Sequence, residues 1–231
     1  MDTEEYAPGR LLDVHGHEGP VVVLWHGRGA LSRQVLARLS GLVADRGATV
    51  VTPDWDPGQA DGGRADLLAS LRRARDIAAD RGQDPDAITL AGWSLGGVAA
   101  LGLALHAEPL GVGVGALVLI APADGPRAID PLSGRPLPDP LPPGAGRCPV
   151  DVVYGEADTI TPPDMVCGLE LRLRASGWAT ALHAVDGDHG TVVGATYDER
   201  RDAFVASGSA QAVHDATIVA DVVARATSSS P

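Results

Sequence analysis

The chain contains no lysine and no asparagine. Without lysine, neither a Schiff-base mechanism nor a P-loop phosphate cradle is available, because both need that amine. Without asparagine there is no acceptor for an N-linked glycan and no Cys-His-Asn form of catalytic triad. Aromatic residues are only 3% of the 231, so aliphatic side chains and alanine must fill the core. The two cysteines, Cys148 and Cys167, have no metal-ligand spacing and read as free thiols in a reducing compartment. No apolar run approaches the roughly 20 residues needed to span a bilayer. The start, Met1-Asp2-Thr3-Glu4-Glu5, lacks the basic and apolar regions of a signal peptide. A cytoplasmic protein with no membrane partner is the expectation.

What is present is acidic and apolar. All 18 basic residues are arginine against 30 carboxylates, a formal net charge of −12 that would repel nucleic acid. Hydrophobic residues make up 45%, enough for a sizeable core in a single domain.

Short apolar runs alternate with helical patterns. Val21 to Trp25, Ala48 to Thr52, Ala87 to Ala91, Ala116 to Ala121, Val150 to Tyr154 and Ala179 to Val185 read as strands, the first with no polar residue at all. Between them fall helices: one capped by Ser32, one from Arg64 to Arg81, one from Leu95 to His106, and one opened by Thr161-Pro162-Pro163-Asp164 with Thr161 as its cap. Gln211 to Ala226 closes the series. Such alternation predicts an α/β fold with a doubly wound, mostly parallel sheet and helices on both faces, one domain over residues 1–226. The stretch from Pro122 to Pro149 holds nine prolines and little periodicity, and reads as a rim or lid segment, or as an inert connection. Residues 227–231 are expected to form a disordered tail.

The chemistry concentrates at strand ends. Gly92-Trp93-Ser94-Leu95-Gly96 fits the G-x-S-x-G turn, between an apolar strand and a helix. Ser94 there is either an exposed nucleophile or simply a helix cap. A serine hydroxyl needs a base. Of the seven histidines, His189 lies in Asp186-Gly187-Asp188-His189-Gly190, directly after the last strand, where it could face Ser94. His183 is inside that strand and reads as packing, and His106 and His214 lie on helices. The base needs a carboxylate partner. Asp158, in Tyr154-Gly155-Glu156-Ala157-Asp158, follows another strand; Glu156, Asp186 and Asp188 are its rivals. An oxyanion would need the Leu95 N–H, just past Ser94, and a donor from His26-Gly27-Arg28-Gly29. His15-Gly16-His17 has no third ligand nearby in sequence, so no metal is expected.

In this order, Trp25-His26-Gly27-Arg28-Gly29, Gly92-Trp93-Ser94-Leu95-Gly96, Tyr154-Gly155-Glu156-Ala157-Asp158 and Asp188-His189-Gly190 resemble the signature blocks of α/β-hydrolases over roughly residues 10 to 225. The chain is most similar to small carboxylesterase and dienelactone-hydrolase-like members that lack a large cap. It departs from dienelactone hydrolases proper, whose nucleophile is cysteine, and from epoxide hydrolases and haloalkane dehalogenases, which carry aspartate at the elbow. The resemblance implies Arg28 as the second oxyanion donor, with Gly29 the fallback. Trp93, Arg28 and the Pro122 to Pro149 segment would line the substrate pocket. The activity expected is hydrolysis of small or short-chain carboxylic esters on Ser94, with no cofactor. The same triad would serve a thioesterase or acyltransferase, and the fold can also act as a non-catalytic ligand receptor.

Overall fold

The computed structural model describes residues 1–144 and 147–228. In chain order the strands are β1 (Asp2–Ala7), β2 (Arg10–His15), β3 (Val21–Trp25), β4 (Thr49–Pro53), β5 (Thr89–Trp93) and β6 (Ala116–Ile120). They continue with β7 (Ile129–Asp130), β8 (Arg135–Pro136), β9 (Val150–Gly155), β10 (Thr180–Val185), β11 (Ala195–Asp198) and β12 (Ala203–Ala206). The helices are α1 (Ala37–Ala44), α2 (Arg64–Asp80), α3 (Leu95–Leu105), α4 (Ala107–Leu110), α5 (Pro163–Ala175) and α6 (Ala210–Ser228).

Eight strands form the main sheet in the order β1-β2-β4-β3-β5-β6-β9-β10. From β4 to β10 all neighbours are parallel, and β1 and β2 add an antiparallel edge. Side chains alternate across the sheet as the period of two requires. Val21, Val23 and Trp25 enter one core with Leu67 and Leu71 of α2, Leu101 of α3 and Leu169 of α5. Val22 and Leu24 enter the other, with Leu39 and Val43 of α1 and Val219 and Val223 of α6. This two-sided burial is why β3 is apolar at every position, and each buried leucine contributes on the order of 2 kcal/mol.

The edge hairpin β1–β2 was not foreseen. Its first strand is largely exposed and carries Asp2, Glu4 and Glu5, so no apolar alternation marks it. Tertiary contacts hold it instead: Thr3 Oγ1 donates to Asp13 Oδ1 at 2.6 Å, and the Tyr6 hydroxyl donates to the Asp54 carbonyl. Ser32 also departs from expectation. It occupies the N-cap position of the turn over residues 33–36 but makes no side-chain cap hydrogen bond; its hydroxyl donates to the Ala30 carbonyl at 3.1 Å.

The C-terminal helix runs past Ala226. Thr227 Oγ1 and Ser228 Oγ both donate to the Ala224 carbonyl, at 2.7 and 3.2 Å, which keeps these two residues in α6 rather than in a tail. The rest of the expected tail, 229–231, lies outside the described residues, as do 145–146 of the proline-rich segment. Within that segment β7 and β8 pair antiparallel, with Ile129 opposite Pro136. No helix among the described residues is long and apolar enough to cross a membrane.

Candidate active site

The chain departs from β3 toward β4 on one side and β5 on the other, so the crevice of this doubly wound sheet opens above the carboxyl ends of β3 and β5. The two loops there are those that begin at His26 and at Ser94.

Ser94 stands at φ 57° and ψ −119°, a conformation rarely adopted by a residue with a side chain. Strain of this kind costs on the order of 1–3 kcal/mol and persists only where the surroundings impose it. Here the Ser94 amide donates to the Ile120 carbonyl at 2.9 Å, while its carbonyl accepts from Gly97 and Ala123 at 3.0 and 3.3 Å. The flanking glycines are a steric necessity. A Cβ at Gly92 would sit 2.1 Å from the Gly96 carbonyl oxygen, and one at Gly96 would sit 2.3 Å from that of Trp25. Ser94 is half-buried, and its hydroxyl has no hydrogen-bond partner among the described residues.

His189 and Asp158 meet. His189 Nδ1 lies 2.8 Å from Asp158 Oδ2, and the two residues are 4% and 3% exposed. The other carboxylate oxygen, Asp158 Oδ1, accepts from the amides of Ile160 and Thr161 at 2.8 and 2.9 Å. Thr161 Oγ1 lies 2.8 Å from Asp158 Oδ2 and 3.2 Å from both His189 Nδ1 and the Ala121 carbonyl. Burial alone would raise the Asp158 carboxyl. The hydrogen bond and charge of His189 and the Thr161 donors outweigh it, so the group stays below the ordinary carboxylate range. A carboxylate at Nδ1 places the ring proton there and leaves Nε2 as the free base.

The three rival carboxylates are engaged or positioned elsewhere. Asp188 Oδ1 accepts from the amides of Gly190 and Thr191, both at 2.8 Å, and so ties the histidine loop to itself. Glu156 and Asp186 are exposed. Thr161 does not cap α5: the cap position is Pro162, and the threonine turns back to the His–Asp pair.

Trp93, expected on the substrate wall, is 4% exposed and turned the other way. Its indole N–H donates to the His189 carbonyl at 2.8 Å, and its ring centre lies 5.0 Å from that of the imidazole. Phe204 of β12 completes this support, 5.7 Å from the His189 ring and edge-on to Trp93 at 5.3 Å. The sequence carries no signal for that role, because β11 and β12 are four-residue strands in a polar stretch.

His26 is fully buried and organises the second loop. Its Nε2 accepts from the amides of Ser32 and Trp55, each at 3.2 Å, and its Nδ1 donates to the Gly27 carbonyl at 2.9 Å. Burial pushes this imidazole down to about 4, so it is neutral at ordinary pH. The loop then passes close to the elbow, where a Cβ at Gly27 would fall 3.2 Å from that of Ser94. The backbone N–H groups of Leu95 and Arg28 are free of hydrogen bonds among the described residues. Leu95 opens an 11-residue helix whose positive end faces this point.

A testable consequence concerns acid. The folded His26 holds its proton only near pH 4, whereas the unfolded ring takes it near 6.5. Stability from this group is therefore full above pH 6.5 and declines as pH falls toward 4, by about 3 kcal/mol in all. Urea unfolding between pH 7 and pH 4 should show a decline larger by about that amount in wild type than in His26→Gln. Parallel curves would contradict the assignment.

Beside Leu95 lies a groove of about 840 Å³. The loop after β3 contributes Arg28 and Ala30 to it, while Gly29 between them is not part of the lining. The proline-rich segment contributes Arg127, Ile129 and the turn at Pro131 to Gly134 to the opposite wall. His183, which reads as packing in the sequence, hydrogen-bonds across the edge of the sheet, its Nε2 2.6 Å from Asp151 Oδ1. His15 and His17 lie at the end of β2, and among the described residues no group of three or more His, Cys, Asp or Glu side chains could hold a metal.

Residues 22–227 match the model of the alpha/beta hydrolase family, and the chain belongs to that family. No curated protein matches it in sequence. Among solved structures it is similar to an esterase of the Planctomycetes species Thermogutta terrifontis, with propionate bound, at TM-score 0.72 and 18% identity over 96% of this chain and 92% of that one. A bacterial heroin esterase aligns at TM-score 0.66 and 19% identity, covering 94% and 80% of the two chains. The esterase LipW of Mycobacterium marinum aligns at TM-score 0.66 and 20% identity, covering 94% and 77%. At these identities the likeness is one of fold.

Proposed function

We propose that this protein is a serine hydrolase that cleaves small carboxylic esters through an acyl-enzyme on Ser94. The observation that carries the reading is the buried His189–Asp158 pair at 2.8 Å, whose histidine carbonyl accepts from the indole of Trp93, the residue before the strained Ser94. The esterases among the structural neighbours support the choice of an ester bond.

In this mechanism His189 Nε2 takes the Ser94 proton as the hydroxyl oxygen attacks the ester carbonyl. The oxyanion is held by the free N–H of Leu95 and that of Arg28, with Gly29 as the alternative second donor. Asp158 holds the imidazolium through Nδ1, and His189 then protonates the departing alcohol. Water, activated by the same nitrogen, releases the acid. The groove walls are exposed at Arg28 and Arg127, which leaves the groove open to water. Trp93 and Phe204 act as positioning residues behind the histidine.

The test is covalent labelling by a fluorophosphonate. Wild type should be modified on Ser94, and Ser94→Ala and His189→Ala should both remain unlabelled. A folded wild type that does not react would overturn the reading.

A further inference from the structure

The groove beside Leu95 is lined by three arginines, Arg28, Arg64 and Arg127, and two aspartates, Asp56 and Asp61. Among the described residues eight arginines form ion pairs with Asp or Glu side chains. The guanidinium groups of Arg28, Arg64 and Arg127 make none and donate no hydrogen bond, and all three line this one groove. Two carboxylates also face it, but both are engaged with the backbone. Asp56 Oδ1 accepts from Gly58 at 2.8 Å, and Asp61 accepts from Gly63 and Ala65 at 2.9 and 2.8 Å. A protein of net charge −12 thus places three unpaired cations around a groove that reaches Leu95, the residue after Ser94.

We propose that this groove is an anion subsite, and that the site's substrates are esters whose far end carries a negative group, a carboxylate or a phosphate. The inference rests on the ester-hydrolase reading for its catalytic half only. Guanidinium groups stay charged throughout the working pH range and match both anions with paired N–H donors. The bulk negative charge does not cancel this attraction. The Debye length is about 8 Å at physiological ionic strength, so carboxylates farther away are largely screened from an anion at the arginines, while the lining itself carries three cations against two carboxylates. The volume of about 840 Å³ accommodates more than a short acyl chain, and Ile129 and Leu132 add apolar surface to the lining. Arg28 serves twice, its backbone N–H toward the oxyanion and its side chain toward the anion.

The experiment compares monomethyl adipate with dimethyl adipate, esters of equal length that differ in one charge. Wild type should favour the monoester by about tenfold in kcat/KM, and Arg64→Gln/Arg127→Gln should bring that ratio close to one. A wild-type ratio near one, or a ratio unchanged in the double variant, overturns the proposal. Binding is measured separately on Ser94→Ala by calorimetry with adipate and with inorganic phosphate. Tighter adipate points to a carboxylate source and tighter phosphate to a phosphate source, provided that binding is lost when Arg64 and Arg127 are replaced. Binding of neither anion overturns the subsite. Anion binding without turnover of either ester would uphold the subsite and reject the hydrolase reading, so the two fail separately.

Discussion

Replacing Ser94 with alanine is expected to lower kcat/KM for p-nitrophenyl acetate by about 10⁶, and His189→Ala should cost about as much. The serine hydroxyl is nucleophilic only while the imidazole can take its proton, so loss of either member disables the same step. The double variant should therefore be no slower than either single one. A residual acceleration of about 10³ over water should survive in all three, from the oxyanion donors and binding alone. The Ser94 hydroxyl bonds to no described residue, so its removal leaves no buried group unsatisfied and the fold should be unchanged. Initial rates, with circular dichroism as the control for folding, decide the matter. Retention of activity within tenfold in Ser94→Ala, or a double variant far slower than both singles, would mean that the two residues do not act as one unit.

The second large effect is expected at Asp158. Asp158→Asn should lower kcat by about 10⁴, although the side chain keeps its shape. The reason lies in how the two carboxylate oxygens are used. Oδ1 accepts two amides, from Ile160 and Thr161, so in the asparagine variant the carbonyl oxygen must stay at that position. The amide NH₂ is then directed at His189 Nδ1, which must accept rather than donate. The ring proton moves to Nε2, the nitrogen that should receive the proton of Ser94, and the base is blocked. Glu156→Gln and Asp186→Asn, at exposed carboxylates in the same two loops, should change kcat less than tenfold. Steady-state kinetics on the three variants distinguishes them. A slow Glu156→Gln with an active Asp158→Asn would transfer the role to Glu156.

Much of this architecture was legible because its causes are local. A strand buried on both faces must be apolar throughout, as Val21 to Trp25 are, and a turn that forces a serine to positive φ needs small neighbours, as Gly92 and Gly96 are. The strand–helix alternation and the positions of Ser94, Asp158 and His189 at strand ends follow from such rules. Other features were hidden because one residue type serves several purposes. Thr161 before two prolines has the pattern of a helix cap, and only the approach of the β10 loop turns its hydroxyl to Asp158 and His189. Trp93 lies next to the nucleophile, but strand alternation sends its side chain into the α1–α6 core, against His189 and Phe204.

The sequence by itself thus determined the parallel sheet, the strained turn at Ser94 and a short set of candidate bases and acids, since each depends on residue type and spacing over a few positions. Tertiary structure alone decided which carboxylate reaches the histidine, that His26 is buried and neutral, and that Arg28, Arg64 and Arg127 share one groove. Those outcomes depend on distances between segments tens of residues apart, set by how the helices pack on the sheet, and no local pattern encodes them.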